Sequence, residues 1–269
     1  MAWKRGNPGC PCCNEFDSIA ACACYSFDNT PNNSAGNGLH LTSSTPQYDS
    51  SNKKLGTHAS SFTGASHYYH DHADCFTPSS GPKPWRVWFW FKMLYRPSYS
   101  NQAYHGVITK GKINGTGVTA AASPTSFDGE WGVFYHARSP SDASAPELFF
   151  VYRSDSVNLG VYFSTGVILD NWYFFHWQIN ATTNAAEVFA ANADGSGTNF
   201  GNSNNIVGNI STDSSKPLRV GNNTGINGVI LGSNDGSFII DNVGFSQDSG
   251  TATDLYNSGN GIACPASGA

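Results

Sequence analysis

One nine-residue stretch constrains the fold more than any other feature. Across residues 85–93, Val87, Phe89, Phe91 and Met93 alternate with Arg86, Trp88, Trp90 and Lys92, the period-2 pattern of a pleated strand. Both faces of that strand carry aromatic rings. Further strand patterning falls at residues 106–110, 131–138, 147–153, 157–163, 172–180, 186–191, 218–222 and 236–245. Between these runs stand turn-forming clusters such as Asn114, Gly115, Thr116 and Gly117, or Asp194, Gly195, Ser196 and Gly197. No three-turn window has helical apolar spacing, and the single short candidate is residues 251–257. Many strands separated by turns imply an all-β sandwich or barrel.

Length and charge narrow the function classes. With 269 residues and strand signals running almost to the C-terminus, one domain with a sizeable core is expected. Only 12% of residues are charged while 13% are aromatic, so polar uncharged residues must provide solubility. The formal net charge is −5 with no basic run, which argues against nucleic acid as a partner. No apolar run approaches the ~20 residues of a membrane span. The basic start at Lys4 and Arg5 is followed by no apolar h-region, so no classical signal peptide is expected.

Seven cysteines are present. Cys10, Cys12, Cys13, Cys22 and Cys24 crowd an N-terminal arm of residues 1–24, and Cys75 and Cys264 lie far away. The odd count leaves one over if the rest pair. Three readings stand: disulfides within or between chains, a metal cluster using the Cys10 to Cys13 spacing, or inert thiols. Terminal strands of a sandwich are often neighbours, so a bridge from the arm to Cys264 is a specific expectation.

The order of the segments resembles the laminin G-like, concanavalin A-like jelly roll of extracellular and virion proteins. The matching pieces are residues 24–29 with the Gly-rich turn at 34–39, the strand at 55–64, Trp88 to Lys92, and residues 107–111. They continue with Asp170, Asn171 and Trp172 through Asn180, where Phe175, Trp177 and Ile179 take the core face. Residues 218–221, 240–245 and 254–256 complete the series. The resemblance implies a two-sheet antiparallel jelly-roll sandwich over residues 25–260, after a Cys-rich arm and before a tail at 261–269. Such folds host lectins, adhesion modules, enzymes and structural subunits alike.

Candidate sites follow from side-chain chemistry. Trp88 and Trp90, with Arg86 on the same strand face and His136 and His176 on the same sheet, suit a sugar-binding surface, because rings stack on the apolar face of a pyranose. The competing reading is packing under loops. Calcium is the ion the resemblance implies, with Asp170, Asp194, Asp235 and Asp241 at turns or strand starts as oxygen donors; Asp241 has a turn-bonding alternative. If extended, His70, His72 and Asp74 share one face and suit a borderline metal. For hydrolysis, Asp128 and Glu130 are the thin supply of paired carboxylates, without the E-x-D-x-x-E strand motif of laminarinases. The expected function is therefore a non-enzymatic, exposed structural or adhesive subunit of a larger assembly. A virion is the expected assembly (capsid decoration, fibre or tail), with multiple copies, other subunits as partners and glycan binding as an added property. A free lectin-like module at a cell surface is the alternative, and a glycoside hydrolase the third reading.

Overall fold

The computed structural model describes residues 21–35, 38–63, 66–78, 84–95, 104–113, 127–136, 147–154, 157–163, 167–180, 185–194, 200–205, 212–223, 237–248, 252–262 and 264. These residues form two antiparallel sheets. The first holds β1 (Ala21–Tyr25), β3 (Gln47–Asp49), β4 (Ala59–Phe62), β6 (Trp85–Met93), β11 (Trp172–Asn180), β12 (Ala185–Asn192), β13 (Phe200–Asn205) and β15 (Phe238–Ser246). Its order is β13-β12-β11-β6-β15-β4-β3, with β1 also paired to β15. The second holds β2 (Thr42–Ser44), β5 (His67–His70), β7 (Tyr104–Ile113), β8 (Phe127–His136), β9 (Glu147–Ser154), β10 (Val157–Phe163) and β14 (Leu218–Asn223). It runs β10-β9-β8-β7-β14-β5-β2. The expected all-β two-sheet sandwich is what forms, with one short helix, α1 (Ala252–Tyr256), where the sequence shows its single helical turn.

The main core fills the space between the sheets. Val87, Phe89, Phe91 and Met93 of β6 point into it with Phe175, Trp177 and Ile179 of β11 and Trp131, Val133 and Tyr135 of β8. Trp85, Trp131 and Trp177 meet at its centre with ring centroids 5.0, 5.3 and 5.7 Å apart. The indole N–H groups of Trp85 and Trp131 donate to the carbonyls of Cys75 and Phe76. Two of the three buried indole donors are thereby satisfied, while the Trp177 N–H has no hydrogen-bond partner among the described residues.

Two disulfides staple the terminal segments. Cys22 bonds Cys75, and Cys24 bonds Cys264 across 240 residues. The bridge from the N-terminal cluster to Cys264 is thus present, and a metal role for Cys22 and Cys24 is corrected because their sulfurs are covalently paired. Cys10, Cys12 and Cys13 lie outside the described residues. Residues 21–24 lie in β1, and Cys264 is buried.

Candidate functional site

The sequence puts Arg86, Trp88 and Trp90 on one face of β6 and the structure agrees, yet that face is closed. Trp88 is 2% exposed, Trp90 1%, Arg86 3% and His176 1%. Leu255 and Tyr256 of α1, with Leu55 and Ile262, cover Trp88, Trp90, Phe174 and Ala191 as a second, smaller core. The Tyr256 hydroxyl donates to the Asn192 carbonyl at 2.5 Å, and Trp88 lies so close over Gly244 that a Cβ there would fall 2.1 Å from the ring. The open sugar platform expected from Arg86, Trp88, Trp90 and His176 is therefore corrected to packing. A sheet with large rings on both faces gains more from a cover on each than from leaving one in water. His176 does pair with Trp88 across the first sheet, but His136 ends β8 in the second sheet, and its side chain lies outside the described residues.

Arg86 instead forms an ion pair with Asp248 at 2.8 Å, and its charge adds to burial in lowering the His176 pKa. Burial comes first, and together they bring the imidazole to about 3. Asp241 is shifted the other way, to about 7, chiefly by burial. An unfolded chain releases these constraints, so the two groups oppose one another. Between pH 3 and 6.5 the unfolded state binds the extra proton at His176 and stability rises with pH. Between pH 4 and 7 the folded state holds the extra proton at Asp241 and stability falls. Denaturation midpoints of the wild type should stay nearly level from pH 5 to 7. His176→Phe should lose stability steadily over that window, approaching one proton's worth per pH unit, and parallel profiles for the two proteins would contradict this account.

The expected metal ligands do not converge: among the described residues no group of three or more His, Cys, Asp or Glu side chains is placed to hold an ion. Asp170 is exposed and faces Lys92 at 3.6 Å. Asp194 is also exposed, and Asp235 lies outside the described residues. Asp241 is corrected from a calcium donor to a backbone clamp: one oxygen accepts from the Lys54 and Leu55 N–H groups at 2.8 Å, the other from Asn242 Nδ2. The shared face of His70, His72 and Asp74 also fails, because β5 ends at His70 and Asp74 opens a 3₁₀ turn. The His70 ring packs on Phe76. His72 sits between Lys110, 3.0 Å from Nδ1, and Asp74, 3.5 Å from Nε2.

Asp128 and Glu130 do not act as a carboxylate pair. A register shift separates the pairs Lys110 with Trp131 and Gly111 with Gly129, which makes Glu130 the extra residue of a bulge. Glu130 is fully buried, its Oε1 2.7 Å from the equally buried Lys110 Nζ, and it also accepts from the Asp213 N–H. Asp128 pairs instead with Lys216 at 2.8 Å.

A polar and aromatic row lies elsewhere, on the outer face of the second sheet, exposed at Tyr69 and Thr42, half-buried at Arg219 and closed at Thr109. Within β5, Tyr68 points into the core and Tyr69 outward, at 37% exposure. Thr109, Arg219, Tyr69 and Thr42 are successive cross-strand partners on β7, β14, β5 and β2, so they form one row on one face. His67 stands two residues from Tyr69 on that face, its ring centroid 6.2 Å from the Tyr69 ring. Its Nε2 lies 3.2 Å from Arg219 Nη1. Arg86, Lys92, Lys110 and Lys216 each face a carboxylate; Arg219 faces none among the described residues. The signal in the sequence was the alternation of His67 and Tyr69 with Tyr68. What it lacked was the pairing of β5 with β14, which brings Arg219 alongside from about 150 residues away.

No protein-family model matches the sequence, and no curated protein does. Among solved structures, the binding domain of botulinum neurotoxin serotype D/C VPI 5993 aligns at TM-score 0.61 and 12% identity, over 91% of this chain and 52% of that chain. A botulinum neurotoxin type C structure, whose cell entry is described as dependent upon interaction with two ganglioside molecules, aligns at 0.60 and 13%, over 92% and 52%. The serotype D ligand binding domain in complex with N-acetylneuraminic acid aligns at 0.58 and 11%, over 90% and 51%. This chain thus spans about half the length of those it matches. At these identities the likeness shows a shared fold, a two-sheet β-sandwich that extends over nine-tenths of the chain.

Proposed function

We propose that this chain is a non-enzymatic, carbohydrate-binding adhesive domain. The observation that carries the reading is the sandwich itself, which matches binding domains over 89–91% of its length, one of them in complex with N-acetylneuraminic acid. The locked state of Glu130 supports a binder over a hydrolase, because a general acid or nucleophile must reach the glycosidic bond. The Cys22–Cys75 and Cys24–Cys264 bridges suit an oxidising exterior, and we place the domain on an exposed surface. The virion setting, with many copies beside other subunits, rests on the sequence reading alone; multivalent display would raise avidity there as on a cell. A glycan array on the full chain, run in calcium and again in chelator, tests the reading. Selective binding is expected, and its loss in chelator would add calcium to the site. No binding in either buffer would overturn it.

A further inference from the structure

We infer that the row Arg219, Tyr69 and Thr42, together with His67, is a binding site for the carboxylate-bearing end of an acidic sugar. The inference rests on the carbohydrate-binding reading and assigns it both a place and a ligand class. Arg219 lies on β14, half-buried, between Thr109 of β7 and Tyr69 of β5. Its guanidinium touches the imidazole of His67 and faces no carboxylate among the described residues. A planar fork tied through Nη1 to the imidazole, and facing no carboxylate among the described residues, keeps further N–H donors for bidentate contact with a carboxylate. Beside it, the exposed ring of Tyr69 offers an apolar face for a pyranose and a hydroxyl at its edge.

Thr42, exposed and directly opposite Tyr69, adds a second hydroxyl to the row. Neighbouring strands lie ~4.8 Å apart, so Arg219, Tyr69 and Thr42 span about 10 Å, the length of one to two sugar rings. The order of chemistry along the row is cation, aromatic ring, hydroxyl. That order fits a terminal acidic residue with its carboxylate at β14 and the remainder of the glycan running toward the edge strand β2. Because β2, β5 and β14 are paired strands, the groups are set by backbone hydrogen bonding, which favours binding without reorganisation.

Sialic acids and uronic acids share this chemistry, and the test separates them. The full chain is titrated with a sialyl-terminated oligosaccharide, a uronic acid-terminated oligosaccharide and the methyl ester of each. The variants Arg219→Met, Arg219→Lys and Tyr69→Ala are measured alongside, with thermal melts to confirm folding. The wild type should bind at least one acid about tenfold or more tighter than its ester, as expected for a charge-assisted hydrogen-bonded pair. Arg219→Met should remove that preference, Arg219→Lys should retain part of it, and Tyr69→Ala should weaken acid and ester together. If Arg219→Met fails to fold, Arg219→Lys and the exposed-site variant Tyr69→Ala decide. Equal affinity for acid and ester, or wild-type binding by Arg219→Met and Tyr69→Ala, would overturn the site. Binding of neutral glycans alone would overturn the site while leaving the carbohydrate reading standing. Binding of no glycan would remove both.

Discussion

Replacing Cys24 and Cys264 together with serine is expected to lower the unfolding free energy by about 3–5 kcal/mol, because that bridge closes a very long loop in the unfolded chain. The structure adds a local consequence. Cys264 anchors the segment that carries Leu255, Tyr256 and Ile262 over Trp88 and Trp90. Without the bridge, that cover is left to the Tyr256 bond to Asn192, the Cys264 N–H bond to Asn242 and its own packing. Urea denaturation should show the lost stability, and acrylamide quenching should show newly accessible tryptophan under native conditions. The same two readings on the wild type treated with a dithiol reductant should move in the same direction. A double variant that melts with the wild type and quenches no more readily would show that the C-terminal cover stands without its staple.

Lys110→Met is expected to cost about 3–5 kcal/mol, since it strands the Glu130 carboxylate in the interior without its cation. The double variant Lys110→Met with Glu130→Gln should recover most of that loss, because a buried ion pair is often worth little more than a neutral pair of similar volume. The coupling between the two substitutions, read from chemical denaturation of all four proteins, isolates the pair. Additive losses would show that the two side chains act separately. Glu130→Gln, once folded, should bind glycans as the wild type does, whereas a hydrolase acting through Glu130 would lose its turnover.

The strands were legible because their signal is local. Alternation defines the bounds of β6, β10 and β11 to the residue, and those strands carry an apolar residue at every second position. The short strands β2, β3 and β5 were not read as strands in their own right. Their residues are largely polar, and β5, on which β2 pairs, is itself placed by β14 from about 150 residues away. The candidate sites fared less well for the same reason. Arg86, Trp88, Trp90 and His176 were correctly grouped on one sheet face, yet nothing within 85–93 records that residues 252–262 lie over it. Asp241 was read both as a calcium donor and as a turn-bonding residue, and the second is what its three hydrogen bonds show.

By itself, then, the sequence determined the class of the fold and its main core, because period-2 alternation acts on the chain directly, while cysteine placement left the bridge to Cys264 as one reading among three. Only the tertiary structure decided which aromatic face is open. Exposure depends on what else packs there, and a C-terminal segment closed the Trp88 and Trp90 face while cross-strand pairing set half-buried His67 and Arg219 beside the exposed Tyr69. Burial is a property of the assembled layers, and no single strand carries it in its own residues.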